Sequence, residues 1–230
     1  MKDKAITYLM KNPLLHMGMI ETIHRDTVDI MYADTDGVLL KEHKSNAYMI
    51  TVDNIEKGQE LINKLSKCNL IVTHQNYMVD YIKNRFGLTE NLECAQAVYL
   101  DKVKLDVNVE LEIKKLELKH LKVILEHYKK LSINEVEELL KDGSLFGGYK
   151  NGTLIGFIGN HLEGSIGLLE IFPEYRRMGY GSTLISYMVN RMLDKGLVPF
   201  GQIEIYNKNS LDLHNKLGFK ISEDRLFWIF

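Results

Sequence analysis

At 230 residues the chain is long enough for one large domain or two small ones. Its 45 % apolar and 26 % charged residues are ordinary for a globular fold, and a net charge of -2 with interspersed signs argues against the basic stripe that a nucleic-acid backbone needs. Cys68 and Cys94 lack paired spacing, and the eight histidines include no His-x-x-x-His pair, so we expect no disulfide framework, no metal site and a reducing cytoplasm.

The opening stretch carries charges and a proline within its apolar residues, unlike a signal peptide or membrane span. It reads as two short helices over Lys2 to His24, broken at Asn12-Pro13. VDIMYADTDGVLL then supplies two strands around a Thr-Asp-Gly turn, and NAYMITV a third. Ile55, Leu61, Ile62 and Leu65 fall at helical spacing within Asn54 to Leu65. LIVTH is a short buried strand, YMVDYIKNRFG a helix ending at Gly87, and LECAQAVYL a strand.

The pattern then restarts. VELEIKKL reads as a strand, followed by helices over LKHLKVILEHYKKL and INEVEELLKDG, the second closing at Gly143. SLFGGYK, TLIGFIGNHL and SIGLLEIF are strands, the first two joined by Asn151-Gly152, a strong hairpin signal. After PEYRRMGYG a long amphipathic helix presents Leu184, Ile185, Met188, Val189, Met192 and Leu193 on one face and stops at Gly196. FGQIEIYN is a strand, SLDLHNKLG a short helix and FKISEDRLFWIF a closing strand or hairpin. Two passes through one element order predict a mixed α/β protein built as a diverged repeat, with units over 1–106 and 107–230.

Only the second unit is equipped for phosphate. Arg176-Arg177-Met178-Gly179-Tyr180-Gly181-Ser182 joins a buried strand to a helix, where first-turn N–H groups lack intrahelical partners. Gly179 and Gly181 permit close main-chain approach to a pyrophosphate, the helix dipole attracts anions, and two arginines add charge. Taken alone, the segment also reads as a tight turn with a solvated rim.

The strand, R-x-x-G-x-G turn and long helix resemble the GNAT superfamily of N-acetyltransferases. A second signature of that family appears as Asn207-Lys208-Asn209-Ser210 followed by Leu213-His214-Asn215-Lys216-Leu217-Gly218-Phe219. The wording LLEIFPEYRRMGYG with PFGQIEIYNKNS also looks like the glycine N-acyltransferase branch. This resemblance covers about residues 110 to 230; before that it is one of architecture, implying a degenerate GNAT-like first unit. It implies acetyl-CoA, or another acyl-CoA, as co-substrate and a small-molecule amine as acceptor, without nucleic acid or membrane. Pantetheine is expected between the strand ending at Ile171 and the strand ending at Tyr206, with main chain near Ile171 polarising the acyl carbonyl and Asn207 and Ser210 contacting the coenzyme.

An alkylammonium must lose a proton before it attacks, so a carboxylate near the thioester is the natural base. Glu170, one residue before Ile171 in an apolar run, is the first candidate; it also reads as a structural carboxylate bonded to a neighbouring strand, or as one that only orients substrate. Strand alternation places Gln202, Glu204 and Tyr206 on one face, lining an acceptor pocket or facing solvent. Many relatives place a tyrosine where this chain has His214, so the imidazolium stands as the candidate acid for the leaving thiolate, against a helix-surface histidine without a role. Loss of that tyrosine keeps open an alternative of another class, an acyl-CoA-binding sensor or scaffold that turns nothing over.

Overall fold

The computed structural model describes residues 1–108 and 110–230, in two compact units. The first comprises Met1–Val98, Gln202–Asp212 and Phe219–Phe230; the second comprises Tyr99–Gly201 and Leu213–Gly218. These units do not follow a cut at 106/107. The reason is backbone pairing: the closing strand pairs antiparallel with two strands of the N-terminal region, Leu226 with Cys94 and Phe227 with Thr73, so it completes the first unit's sheet.

In the first unit, α1 (Lys2–Leu9) and α2 (Pro13–His24) are separated by Asn12, whose Oδ1 accepts the Leu15 N–H at 3.3 Å. With Pro13 at the first helical position, this is the expected start signal. Strands β1 (Val28–Asp34), β2 (Gly37–Glu42) and β3 (Tyr48–Val52) are antiparallel. Helix α3 (Ile55–Asn63), capped by Asn54, crosses to β4 (Ile71–Thr73), which runs parallel to β3 at three paired positions. Helix α4 (Val79–Phe86) stops at Gly87, left-handed at φ +69°, before β5 (Asn91–Val98). The core gathers Ile50, Leu61, Ile62, Ile71, Met78, Ile82 and Ile229. Each such aliphatic side chain, when fully buried, contributes about 1.5–3 kcal/mol.

The second unit starts with β6 (Glu112–Lys115), shorter than expected; Val109 of the predicted strand lies outside the described residues. Helix α5 (Leu121–His127) is also shorter, because Tyr128 turns extended and packs its ring against Phe157. Helix α6 (Ile133–Asp142) opens on a Ser132/Glu135 capping box and closes on left-handed Gly143. Strands β7 (Leu145–Lys150) and β8 (Thr153–Asn160) meet at Asn151 and Gly152, both at positive φ as a type I′ turn requires. Strand β9 (Ile166–Ile171) leads to α7 (Tyr180–Asp194) and then β10 (Phe200–Glu204), which starts in this unit and belongs to the first from Gln202 onward. The order within the unit is β10-β9-β8-β7-β6, over a core including Leu116, Val136, Leu139, Phe157, Leu168 and Phe172. Helix α8 (Lys208–Lys216) and β11 (Lys220–Ile229) follow. Among the described residues, no helix is long and apolar enough to cross a membrane.

Candidate active site

The site is built from the end of β9. Opposite β8, Phe157 pairs with Glu170 and Gly159 with Gly167, so two steps on β8 face three on β9. The extra residue is a bulge, and Leu168 takes φ +56° to make it. A bulge re-aims the strand that follows and interrupts its ladder. Strand β9 meets β10 at one parallel pair, Ile166 with Gly201, where β3 and β4 pair three times.

Beyond Ile171 the chain makes a 3₁₀ turn over Pro173–Tyr175 and then reverses. Arg177 and Gly179 are left-handed at φ +64° and +85°, and Gly179 caps α7 without a side chain. The first intrahelical bond is Thr183 N–H to the Gly179 carbonyl. The N–H groups of Tyr180, Gly181 and Ser182 therefore have no intrahelical acceptor, at the positive end of a 15-residue helix. A Cβ at Gly181 would meet its nearest atoms, on Leu213, Leu169 and Ile171, at 3.5, 3.8 and 3.9 Å. Those are ordinary contacts, so packing within the protein does not demand glycine there.

The side chains of the turn divide their work. Tyr180 is buried, and its hydroxyl accepts from Lys150, whose pKa is raised chiefly by that hydrogen bond. Lys150 was not singled out from the sequence, where nothing marked a lysine before the Asn-Gly turn. Met178 and Arg177 are exposed, and Ser182 is half-buried. Arg176 turns back: its Nε donates to the Ile171 carbonyl and its Nη2 to Glu170 Oε1, each at 2.8 Å. Glu170 thus sits in an ion pair, its side chain 20 % exposed.

His214 is 5 % exposed, which overturns its reading as a helix-surface residue. A side chain at Gly201 would begin 3.7 Å from His214 Nε2 and 3.0 Å from the Ile166 carbonyl, so the glycine makes room for the imidazole where β9 and β10 pair. The β8–β9 turn holds a second polar pair the sequence did not flag: the Ser165 hydroxyl donates to Glu163, both buried.

The remaining candidates fold with the first unit. Gln202 accepts from the Trp228 indole N–H and reaches Gln96 at 3.5 Å. Strand β10 ends at Glu204, so the expected shared face does not extend to Tyr206, which is 85 % exposed. The Asn207 side chain accepts the Ser210 N–H at 3.2 Å, holding the start of α8. Among the described residues, no group of three or more His, Cys, Asp or Glu side chains is placed to hold a metal ion.

Residues 113–219 match the sequence profile of the acetyltransferase (GNAT) family. No curated protein matches the chain. Among solved structures, a Drosophila protein is similar over 99 % of this chain and 94 % of its own, at 15 % identity and a TM-score of 0.66. An acetyltransferase assigned to the GNAT family from Novosphingobium aromaticivorans is similar over 94 % and 95 %, at 13 % identity and TM-score 0.60. A GCN5-related N-acetyltransferase-like protein from Streptococcus suis is similar over 98 % of both chains, at 15 % identity and TM-score 0.55. Identities this low speak for the fold alone, and with the profile match they agree on one conclusion: the mixed α/β chain has a GNAT acetyltransferase fold, with the family's domain at residues 113–219.

Proposed function

We propose that the chain moves an acyl group, acetyl first among candidates, from coenzyme A to a small-molecule amine. The observation that carries this reading is the row of N–H donors at Tyr180, Gly181 and Ser182, presented behind the left-handed Gly179. The coenzyme's pyrophosphate accepts from these donors and its pantetheine runs along β9. Main chain at the bulge polarises the thioester carbonyl, as an oxyanion hole does.

In the reaction, the neutral amine attacks the carbonyl carbon, a C–N bond forms, and the tetrahedral intermediate collapses with cleavage of the C–S bond. Glu170 takes the proton shed by the amine. His214 protonates the departing thiolate. Roles proposed for Gln202 and Glu204 at the acceptor rest on strand alternation, and those for Asn207 and Ser210 at the coenzyme rest on the sequence signature. So does placement beside the glycine N-acyltransferase branch. The first unit is read as a degenerate GNAT-like unit, and the chain is placed in a reducing cytoplasm, with Cys68 and Cys94 both buried.

A binding-only role is the second reading, favoured by the engagement of Glu170 with Arg176. Amide NMR on titration with acetyl-CoA tests the first. The resonances of Gly179 to Ser182 should shift most, and shifts confined to other segments would refute the placement. Glu170→Gln should lower kcat with little effect on coenzyme affinity.

A further inference from the structure

We infer that Arg176 is a positioning residue for Glu170, and that Arg177 is the arginine of the turn that meets the coenzyme's phosphates. This rests on the acyl-transfer reading and divides a pair of charges that the sequence presents as equivalent.

The division begins in the backbone. Arg176 is extended, at φ -70° and ψ 157°, and its side chain runs back along the strand it has just left. One edge of its guanidinium, Nε and Nη2, grips two consecutive residues at the end of β9: the Ile171 carbonyl and the Glu170 carboxylate. A planar fork suits this grip, because its donors are fixed relative to each other. Turning that edge to a phosphate would break both bonds at once and leave the Glu170 carboxylate beside the incoming anion. Arg176 and Glu170 therefore form a neutral unit within the turn.

Arg177 is built differently. It holds a left-handed conformation at φ +64°, which disfavours a residue bearing Cβ by about 1–2 kcal/mol. Such strain persists where a site requires it. Its side chain is exposed, and among the described residues no carboxylate pairs with it. The uncompensated positive charge two residues before the Gly179 cap is thus Arg177.

Calorimetric titration with coenzyme A at low and moderate salt separates the roles. It compares the wild type, Arg177→Gln and the charge-neutral double variant Glu170→Gln/Arg176→Gln. Removing a charge-assisted phosphate bond should weaken binding by about tenfold or more and flatten the salt dependence in Arg177→Gln. The double variant should bind within about threefold of wild type. Kinetics supply the second readout: Arg176→Gln should lower kcat with acyl-CoA KM little changed, and Arg176→Lys should restore part of kcat. A tenfold loss in the double variant, or wild-type affinity in Arg177→Gln, overturns this inference while leaving coenzyme binding intact. If the wild type binds no coenzyme A, the acyl-transfer reading itself fails, and the assignment of Arg177 fails with it.

Discussion

Gln75 Oε1 accepts the main-chain N–H of Val52 at 3.1 Å, at the end of β3. The Tyr77 hydroxyl donates to the Val52 carbonyl at 3.0 Å, and Asn54 caps α3 with its own side chain. In the first unit, then, an asparagine side chain caps the helix that follows the strand, where α7 of the second unit starts on Gly179 with no side-chain cap. One coenzyme per chain is the expected stoichiometry by calorimetry. A value near two would contradict it.

Gly181 should tolerate a methyl group but not a charge. Its nearest neighbours permit a Cβ, so Gly181→Ala and Gly181→Glu should both keep the fold by circular dichroism. Gly181→Glu places bulk and negative charge among the donors of α7 and should abolish coenzyme binding. Unchanged affinity in the folded Glu variant would remove the turn from the account.

Stability of the first unit should fall as pH drops below about 6.5, the ordinary histidine value. His16 Nδ1 donates to the Leu9 carbonyl at 2.9 Å, so its Nε2 accepts from Thr51, and the His74 ring lies edge-on at 5.0 Å. Burial lowers the pKa of both, His74 well below its usual value; on His16 the hydrogen bond to the Leu9 carbonyl and the charge of Asp224 oppose burial, and Lys11 adds to it. Between the folded and unfolded values the unfolded chain binds more protons, so acid favours unfolding, by at most about 1.4 kcal/mol per pH unit for each histidine. Urea unfolding from pH 7 to 5 should show a shallower slope in His74→Asn than in wild type. Equal slopes would discard the histidines as the cause.

His214→Phe should slow the chemical step by about 10²-fold if His214 is the acid. His214→Tyr should restore part of the rate. The imidazole tip lies beside Gly201, where β9 and β10 pair, so each variant must first be shown to fold. A wild-type single-turnover rate in a folded His214→Phe would make the histidine a bystander.

Much of this was legible locally. Asn12-Pro13, Asn151-Gly152 and the glycines at 87, 143 and 196 act locally, and each ends or starts an element as read. What failed to show was non-local. The closing strand carries an irregularity between Ile221 and Arg225, and nothing in its composition says that its partners are β4 and β5. The burial of His214 depends on an absent side chain at Gly201. Arg176 looked like free charge because its partner lies six residues back, across a 3₁₀ turn whose reversal the sequence did not announce.

The central claim is tested most directly by release of free coenzyme A thiol from acetyl-CoA, with and without each of a panel of small amines, using wild type and Gly181→Glu. The account predicts amine-dependent release, with N-acetylated product in equal amount, by wild type and none above background by the variant. Coenzyme binding without release for every amine would favour the sensor reading over catalysis, and equal release by Gly181→Glu would contradict the placement of the site.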